Sequence, residues 1–139
     1  MTKIHDLIII GGGPIGLACG IEAKKAGLDY LILEKGALCN SIYNYPVNMT
    51  FFSTSERLEM AGIPFMSIGA KPTRTEALEY YRRVYQHFQL KVNLYEGVKT
   101  LNKSGEKFEI VTSKGTYQAR KLVLATGFYD LPNLMDVPG

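Results

Sequence analysis

The sequence predicts an α/β fold: a parallel sheet that starts with a βαβ unit and continues into a small β meander. Three apolar runs carry that expectation. Leu7-Ile8-Ile9-Ile10 opens into Gly11-Gly12-Gly13-Pro14-Ile15-Gly16; Tyr30-Leu31-Ile32-Leu33 ends on Glu34; and Leu122-Val123-Leu124-Ala125 ends at Thr126-Gly127. Short continuous apolar runs that stop at glycine or polar residues read as strands covered on both faces, the usual state of strands in a parallel sheet.

Taken in order, Ile4 to Ile10 is the first strand. Pro14 to Ala26 is a helix, because proline is tolerated in a first turn and Gly27 supplies a stop. Leu28 to Glu34 is the second strand, and a right-handed crossover makes it parallel to the first. Gly36 to Lys71 shows no period and is rich in Asn, Ser, Thr and aromatic residues. An irregular stretch of that length inside a compact domain is usually functional. A short helical turn is expected near Ser55 to Met60. Thr73 to Phe88 is a helix opened by a Thr73/Glu76 capping box, with Leu78, Tyr81, Tyr85 and Phe88 as its apolar face. Lys91 to Glu96 is strand-like. Val98 to Ala119 forms a hairpin or three-stranded meander turning at Ser113-Lys114-Gly115, and Lys121 to Ala125 is a final buried strand.

Composition narrows the class. A chain of 139 residues suits one domain, and a 46% hydrophobic content supplies a core. The net charge of +3 is scattered rather than blocked, which argues against nucleic acid or a membrane surface as partner. The first apolar run is far too short to span a bilayer and leads into glycines rather than a cleavage site, so a cytoplasmic protein is expected. Cys19 and Cys39 form neither a CxxC pair nor a disulfide framework, and the absence of a His/Cys cluster predicts no metal site. His5 and His87 stand alone and suit surface or structural roles. Cys19 reads as a small packing residue. Cys39 falls in a loop, where exposure is expected, with Lys35 the nearby group able to lower its pKa.

The chemistry lies in the glycine cluster. Gly11, Gly13 and Gly16 fit G-x-G-x-x-G, with a strand before and a helix after. Gly11 permits the tight turn, Gly13 lets backbone approach a pyrophosphate, and Gly16 lets helix and strand pack closely. The helix N-terminus then offers free N–H groups and the positive end of its dipole to phosphates. Glu34, at the end of the second strand, stands where an acid accepts the ribose hydroxyls and repels a 2′-phosphate. The loop alone fits FAD or NAD. The polar-aromatic segment, helix and meander that follow favour FAD, since an NAD domain would continue with regular βα units.

Gly11-Gly12-Gly13-Pro14, Glu34-Lys35-Gly36 and Ala125-Thr126-Gly127 together resemble the two-dinucleotide-binding-domain flavoproteins of the thioredoxin reductase-like and glutathione reductase-like group. Asn40-Ser41-Ile42-Tyr43-Asn44-Tyr45-Pro46, Thr50-Phe51-Phe52-Ser53-Thr54-Ser55-Glu56 and Pro72-Thr73-Arg74 resemble, more narrowly, their bacillithiol-disulfide reductase-like branch. The resemblance covers the whole chain. It implies a Rossmann-like FAD-binding domain of which residues 1–139 are the N-terminal portion, interrupted by an NADPH domain and later resumed. Neither the second glycine fingerprint nor the returning segment is present, so a truncated chain is expected, inactive alone, binding FAD poorly and self-associating through uncovered apolar surface.

The resemblance also implies roles. Gly11, Gly13, Pro14, Ile15 and Gly16 line the pyrophosphate, and Glu34 binds the adenosine ribose with Lys35 beside it. Val98 meets adenine through backbone atoms, and Ala125, Thr126 and Gly127 close over the cofactor. Asn40, Tyr43 and Thr50 are candidates for the flavin side. FAD is the implied cofactor and NADPH the hydride donor of the full-length oxidoreductase. A low-molecular-weight thiol or disulfide is the substrate class, and a homo-oligomer the expected assembly. One departure stands out: bacillithiol-linked members often place a cysteine where this chain has Ile15. Neither Cys19 nor Cys39 is expected to replace it as a redox centre. Two other readings stay open, a flavin- or nucleotide-binding module without chemistry of its own and a flavin monooxygenase-type enzyme.

Overall fold

The computed structural model describes residues 3–129 together with 133, 135 and 137. The element order is β1 (Ile4–Ile10), α1 (Pro14–Lys25), β2 (Tyr30–Leu33), α2 (Asn40–Tyr43), α3 (Ser55–Leu58), α4 (Arg74–Phe88), β3 (Val92–Asn93), β4 (Val98–Ser104), β5 (Lys107–Thr112) and β6 (Thr116–Leu124). The strands form one six-stranded sheet in the order β3-β2-β1-β6-β5-β4. β1 lies parallel to both β2 and β6, with Ile8 opposite Leu31 on one side and Leu122 on the other. β3 extends the parallel part, and β4, β5 and β6 form the antiparallel meander.

The first two apolar runs are covered by different layers on their two faces. On one face Ile9 and Ile32 pack with Leu17 and Ile21 of α1 and Ala77 and Val84 of α4. On the other, Ile8, Leu31 and Leu33 cluster with Ile110 and Ala119 of the meander. Burying one such aliphatic side chain contributes about 1.5–3 kcal/mol. The third run, expected as a buried strand, is not covered in this way: Leu122 and Val123 are half-buried and Leu124 is 66% exposed, because it edges the open cleft.

Three other expectations need correction. The meander and the final strand are not separate: β6 runs unbroken from Thr116 to Leu124. Its first half pairs with β5, and from Gln118 onward it pairs with β1. The apolar pattern therefore changes within one strand as its neighbours change. The buried face of α4 is Ala77, Tyr80, Tyr81 and Val84, whereas Leu78, Tyr85 and Phe88 only flank the core. The helix turns inward the tyrosines whose phenols find partners. Tyr80 Oη accepts from Met60 N at 2.8 Å and donates to Ile63 O at 2.8 Å, while its ring stacks on Phe65 at 4.2 Å. The strand expected over residues 91–96 is ordered as strand only at Val92–Asn93. The capping box forms as expected, with Thr73 N donating to Glu76 Oε2 at 2.8 Å and Glu76 N to Thr73 Oγ1 at 3.3 Å.

Candidate functional site

The loop between β1 and α1 is pinned at both sides. Gly11 N donates to Leu33 O at the end of β2, and Ala125 N donates to Ile10 O beyond β6, each at 2.8 Å. Gly11 has φ of +113°, and a Cβ there would lie 2.2 Å from Ala125 O. Gly16 packs so tightly that a Cβ would sit 1.9 Å from Gly11 O. At Gly13 a Cβ would meet nothing within 4 Å. The protein itself therefore has no steric need for glycine at 13; the position opens onto a cleft. Gly13 is also the N-cap of α1 and supplies no side-chain acceptor, so the first-turn amides lack the usual internal cap. A helix start in that state is a ready anion site.

The cleft has a volume of about 720 Å³, within the range of cofactor sites. The carbonyl ends of β1, β2 and β6 form its floor. Gly11, Gly13, Pro14, Ile15, Glu34, Lys35, Val98, Ala125, Thr126 and Gly127 all line it, as does Asn40. Gly16 lies beneath, buried under the loop. Tyr43 and Thr50, expected on the flavin side, do not line the cleft. Tyr43 is exposed with the Arg74 guanidinium 5.5 Å over its ring, and Thr50 bridges to Thr73.

Glu34 is the best-defined acceptor in the cleft. It is buried, with Oε2 accepting from Gly12 N at 2.6 Å and Oε1 from Gly36 N at 2.8 Å. A carboxylate carries about four acceptor sites, so each oxygen keeps capacity for a ligand hydroxyl. The second glycine of the cluster explains itself here, because a Cβ on Gly12 would lie 2.9 Å from Glu34 Cβ.

Cys39 corrects an expectation. It is buried, begins α2 in a left-handed conformation (φ 53°), and its N–H donates to Gly12 O at 3.0 Å. Burial, with the Glu34 carboxylate nearby, pushes its thiol up to about 12. It lines the cleft, where the raised pKa favours the protonated thiol. Cys19 is half-buried against the core.

The far end of the cleft was not anticipated residue by residue. Tyr45, Phe51, Leu58 and Tyr81 form an apolar wall, completed by Phe128 and Tyr129. Tyr45 stands edge-on to Tyr129 at 6.3 Å and tilts toward Phe51 at 6.2 Å. The signal was the density of aromatics in the irregular segment, although nothing local distinguishes Tyr45 and Phe51, which face inward, from Phe52, which is 91% exposed. Among the described residues no helix is long and apolar enough to cross a membrane.

A glycine turn at the carbonyl ends of parallel strands, an uncapped helix start and an acid closing the next strand together define a dinucleotide-binding α/β domain. The chain belongs to the pyridine nucleotide-disulphide oxidoreductase family, whose model matches residues 8–139. It is 49% identical over 133 residues to bacilliredoxin reductase Bdr of Bacillus subtilis, covering 95% of this chain and 41% of that protein. The structure of bacillithiol disulfide reductase Bdr from Staphylococcus aureus superposes with a TM-score of 0.92 at 50% identity, over 100% of this chain and 43% of the other. A flavin-containing monooxygenase from Stenotrophomonas maltophilia is similar at 28% identity, with a TM-score of 0.82 over 90% of this chain and 39% of its own. The chain thus spans about two-fifths of the length of these relatives.

Proposed function

We propose that residues 1–139 belong to the FAD-binding domain of an NAD(P)H-dependent flavoprotein oxidoreductase, and that this cleft holds the ADP half of FAD. One observation carries the reading. Glu34, fixed by two backbone N–H groups, and Gly13, where the protein itself leaves room for a Cβ, face one cleft beside the start of α1. In this reading the backbone of Gly11, Gly13, Pro14 and Ile15 takes the pyrophosphate, while Gly16 keeps the helix close enough to present its amides. Glu34 takes the ribose and Lys35 flanks it. Val98 receives the adenine, and Ala125, Thr126 and Gly127 close the cleft over the phosphates. Bound FAD supplies the capacity to accept a hydride from a nicotinamide. This chain's residues bind it, orient it and exclude water through the aromatic wall.

The substrate class we propose is a low-molecular-weight disulfide, the class named for the Staphylococcus aureus relative. Two free thiols suit the reducing cytoplasm where such a reductase would work. Ile15 limits what this segment contributes. Its side chain is 68% exposed in the cleft and offers contact but no sulfur for exchange. The monooxygenase reading draws support from its likeness at TM-score 0.82 and from Ile15 itself, and it separates from the first by product. The test is the purified full-length protein to which these residues belong. It should be yellow, release FAD and not FMN on denaturation, and oxidise NADPH when bacillithiol disulfide is added. Release of FMN alone refutes the cofactor assignment, because FMN lacks the ADP half. Oxygen-dependent NADPH oxidation with hydroxylation of an added organic substrate, and none with disulfide, moves the protein to the monooxygenase class.

A further inference from the structure

Glu96 is 2% exposed, which is unusual for a carboxylate, and none of the roles above uses it. It precedes Gly97 and Val98, the two residues that line the cleft next to Glu34 and Lys35. Its N–H donates to Glu34 O at 2.8 Å, tying it to the end of β2. Its side chain reaches the other way, into the β5–β6 turn. Thr112 Oγ1 donates to Glu96 Oε1 at 2.6 Å, and Asn93 Nδ2 donates to Oε2 at 2.9 Å.

The direction of the Thr112 bond follows from its other partners. Lys114 N and Gly115 N already donate to Thr112 Oγ1, and Gly115 O already accepts from Thr112 N. Gly115 O lies within reach of the same hydroxyl at 2.9 Å, but the Glu96 carboxylate can only accept and is the shorter contact, so in this bond the proton goes to Glu96. Burial works against the charged carboxylate, and the hydrogen bonds from Thr112, Tyr117 and Asn93 outweigh it, holding Glu96 below its ordinary range. The same turn returns a bond to the segment, Ser113 N donating to Gly97 O at 2.9 Å. The β4–β5 register also breaks between Val98 and Thr100, so ladder pairing alone does not set the course of the chain there.

We propose that Glu96 is a positioning residue for the purine of a bound adenine nucleotide, acting through Thr112 to hold the Gly97–Val98 backbone at the base end of the cleft. The proposal rests on the nucleotide reading above. With the ribose on Glu34 and the phosphates at the glycine loop, the base falls at Gly97–Val98. The Glu96–Thr112 bond joins that backbone to the turn, while the Glu34 side chain faces the ribose and the glycine loop. Loss of Glu96 then removes recognition of the base and leaves recognition of the ribose diphosphate.

Nucleotide affinity tests this. ADP and UDP share ribose and pyrophosphate and differ in the base. Titration calorimetry compares both on the parent chain, Glu96→Gln, Thr112→Val, Thr112→Ser and Glu34→Gln, at a temperature where circular dichroism shows each folded. In Glu96→Gln one acceptor oxygen becomes an NH2 donor, so either Thr112 or Asn93 loses the carboxylate oxygen it faces. Thr112→Val is the second variant should Glu96→Gln fail to fold. Expected is a loss of about tenfold in ADP affinity (~1.4 kcal/mol) for Glu96→Gln and Thr112→Val, with UDP unchanged within about twofold. Thr112→Ser, which keeps the hydroxyl, should match the parent, and Glu34→Gln should weaken both ligands. Equal losses for ADP and UDP, or an unchanged ADP affinity, overturn the proposal while the nucleotide reading stands. A parent chain that binds neither nucleotide refutes that reading, and the proposal with it.

Discussion

Replacing Glu34 by glutamine separates what this side chain does for the fold from what it does for a ligand. Each carboxylate oxygen accepts one backbone N–H, from Gly12 at 2.6 Å and from Gly36 at 2.8 Å. In Glu34→Gln one oxygen becomes NH2 and faces one of those donors. The site is 5% exposed, so the N–H left without an acceptor is not rescued by water. The expected cost in stability is about 1–3 kcal/mol. The ligand loses more than one bond. Two acceptor sites remain on the carboxylate for two ribose hydroxyls, and a charged hydrogen bond is worth roughly 1 kcal/mol more than a neutral one. Both together give about 2 kcal/mol, or roughly thirtyfold in affinity. Thermal unfolding without ligand reads the first quantity and ADP titration the second. A variant that melts earlier yet binds ADP within about threefold of the parent, under ~0.7 kcal/mol, would show that Glu34 serves the loop alone and refute the ribose assignment.

Two further tests bear on the cleft. Gly13→Ala should leave stability within about 0.5 kcal/mol, because the new methyl meets nothing within 4 Å and φ is −79°, yet it should abolish detectable ADP binding. Gly16→Ala, with its Cβ 1.9 Å from Gly11 O, should instead cost more than about 3 kcal/mol in urea unfolding. Cys39 adds a pH dependence: its thiol is raised from an ordinary 9.0 to about 12, so the stability it contributes is full below pH 9 and is lost as pH rises toward 12. The slope from this one group is about −1.4 kcal/mol per pH unit, and Cys39→Ala should flatten it in urea melts taken across that window. Native Cys39 should also resist alkylation at pH 8 until the chain is unfolded.

What could be read from residues alone was local. β1, α1 and β2 follow from apolar runs between glycines, and the capping box at Thr73 is complete within four residues. The glycine loop and Glu34 were legible for the same reason, since their spacing reflects one βαβ unit. The rest depends on distant partners. Which face of α4 turns inward depends on Tyr80 finding Met60 N and Ile63 O across the chain. The course of the aromatic segment depends on Phe51 N bonding Pro72 O and on Arg74 holding the carbonyls of Ile42 and Tyr43. No period encodes such contacts. Cys39 was misplaced because its bond to Gly12 O draws a loop residue under the glycine turn. In sequence Glu96 only ends a strand-like segment; the fold brings Thr112, sixteen residues on, to its carboxylate.

The most direct measurement is a crystal structure of this chain grown with ADP. The diphosphate is expected against the backbone of Gly13 to Ile15 at the start of α1. Both ribose hydroxyls should lie within hydrogen-bond distance of the Glu34 carboxylate, and the adenine against Gly97 and Val98. ADP bound elsewhere, or in this cleft with its ribose turned away from Glu34, would contradict the assignment of the cleft to the ADP half of FAD.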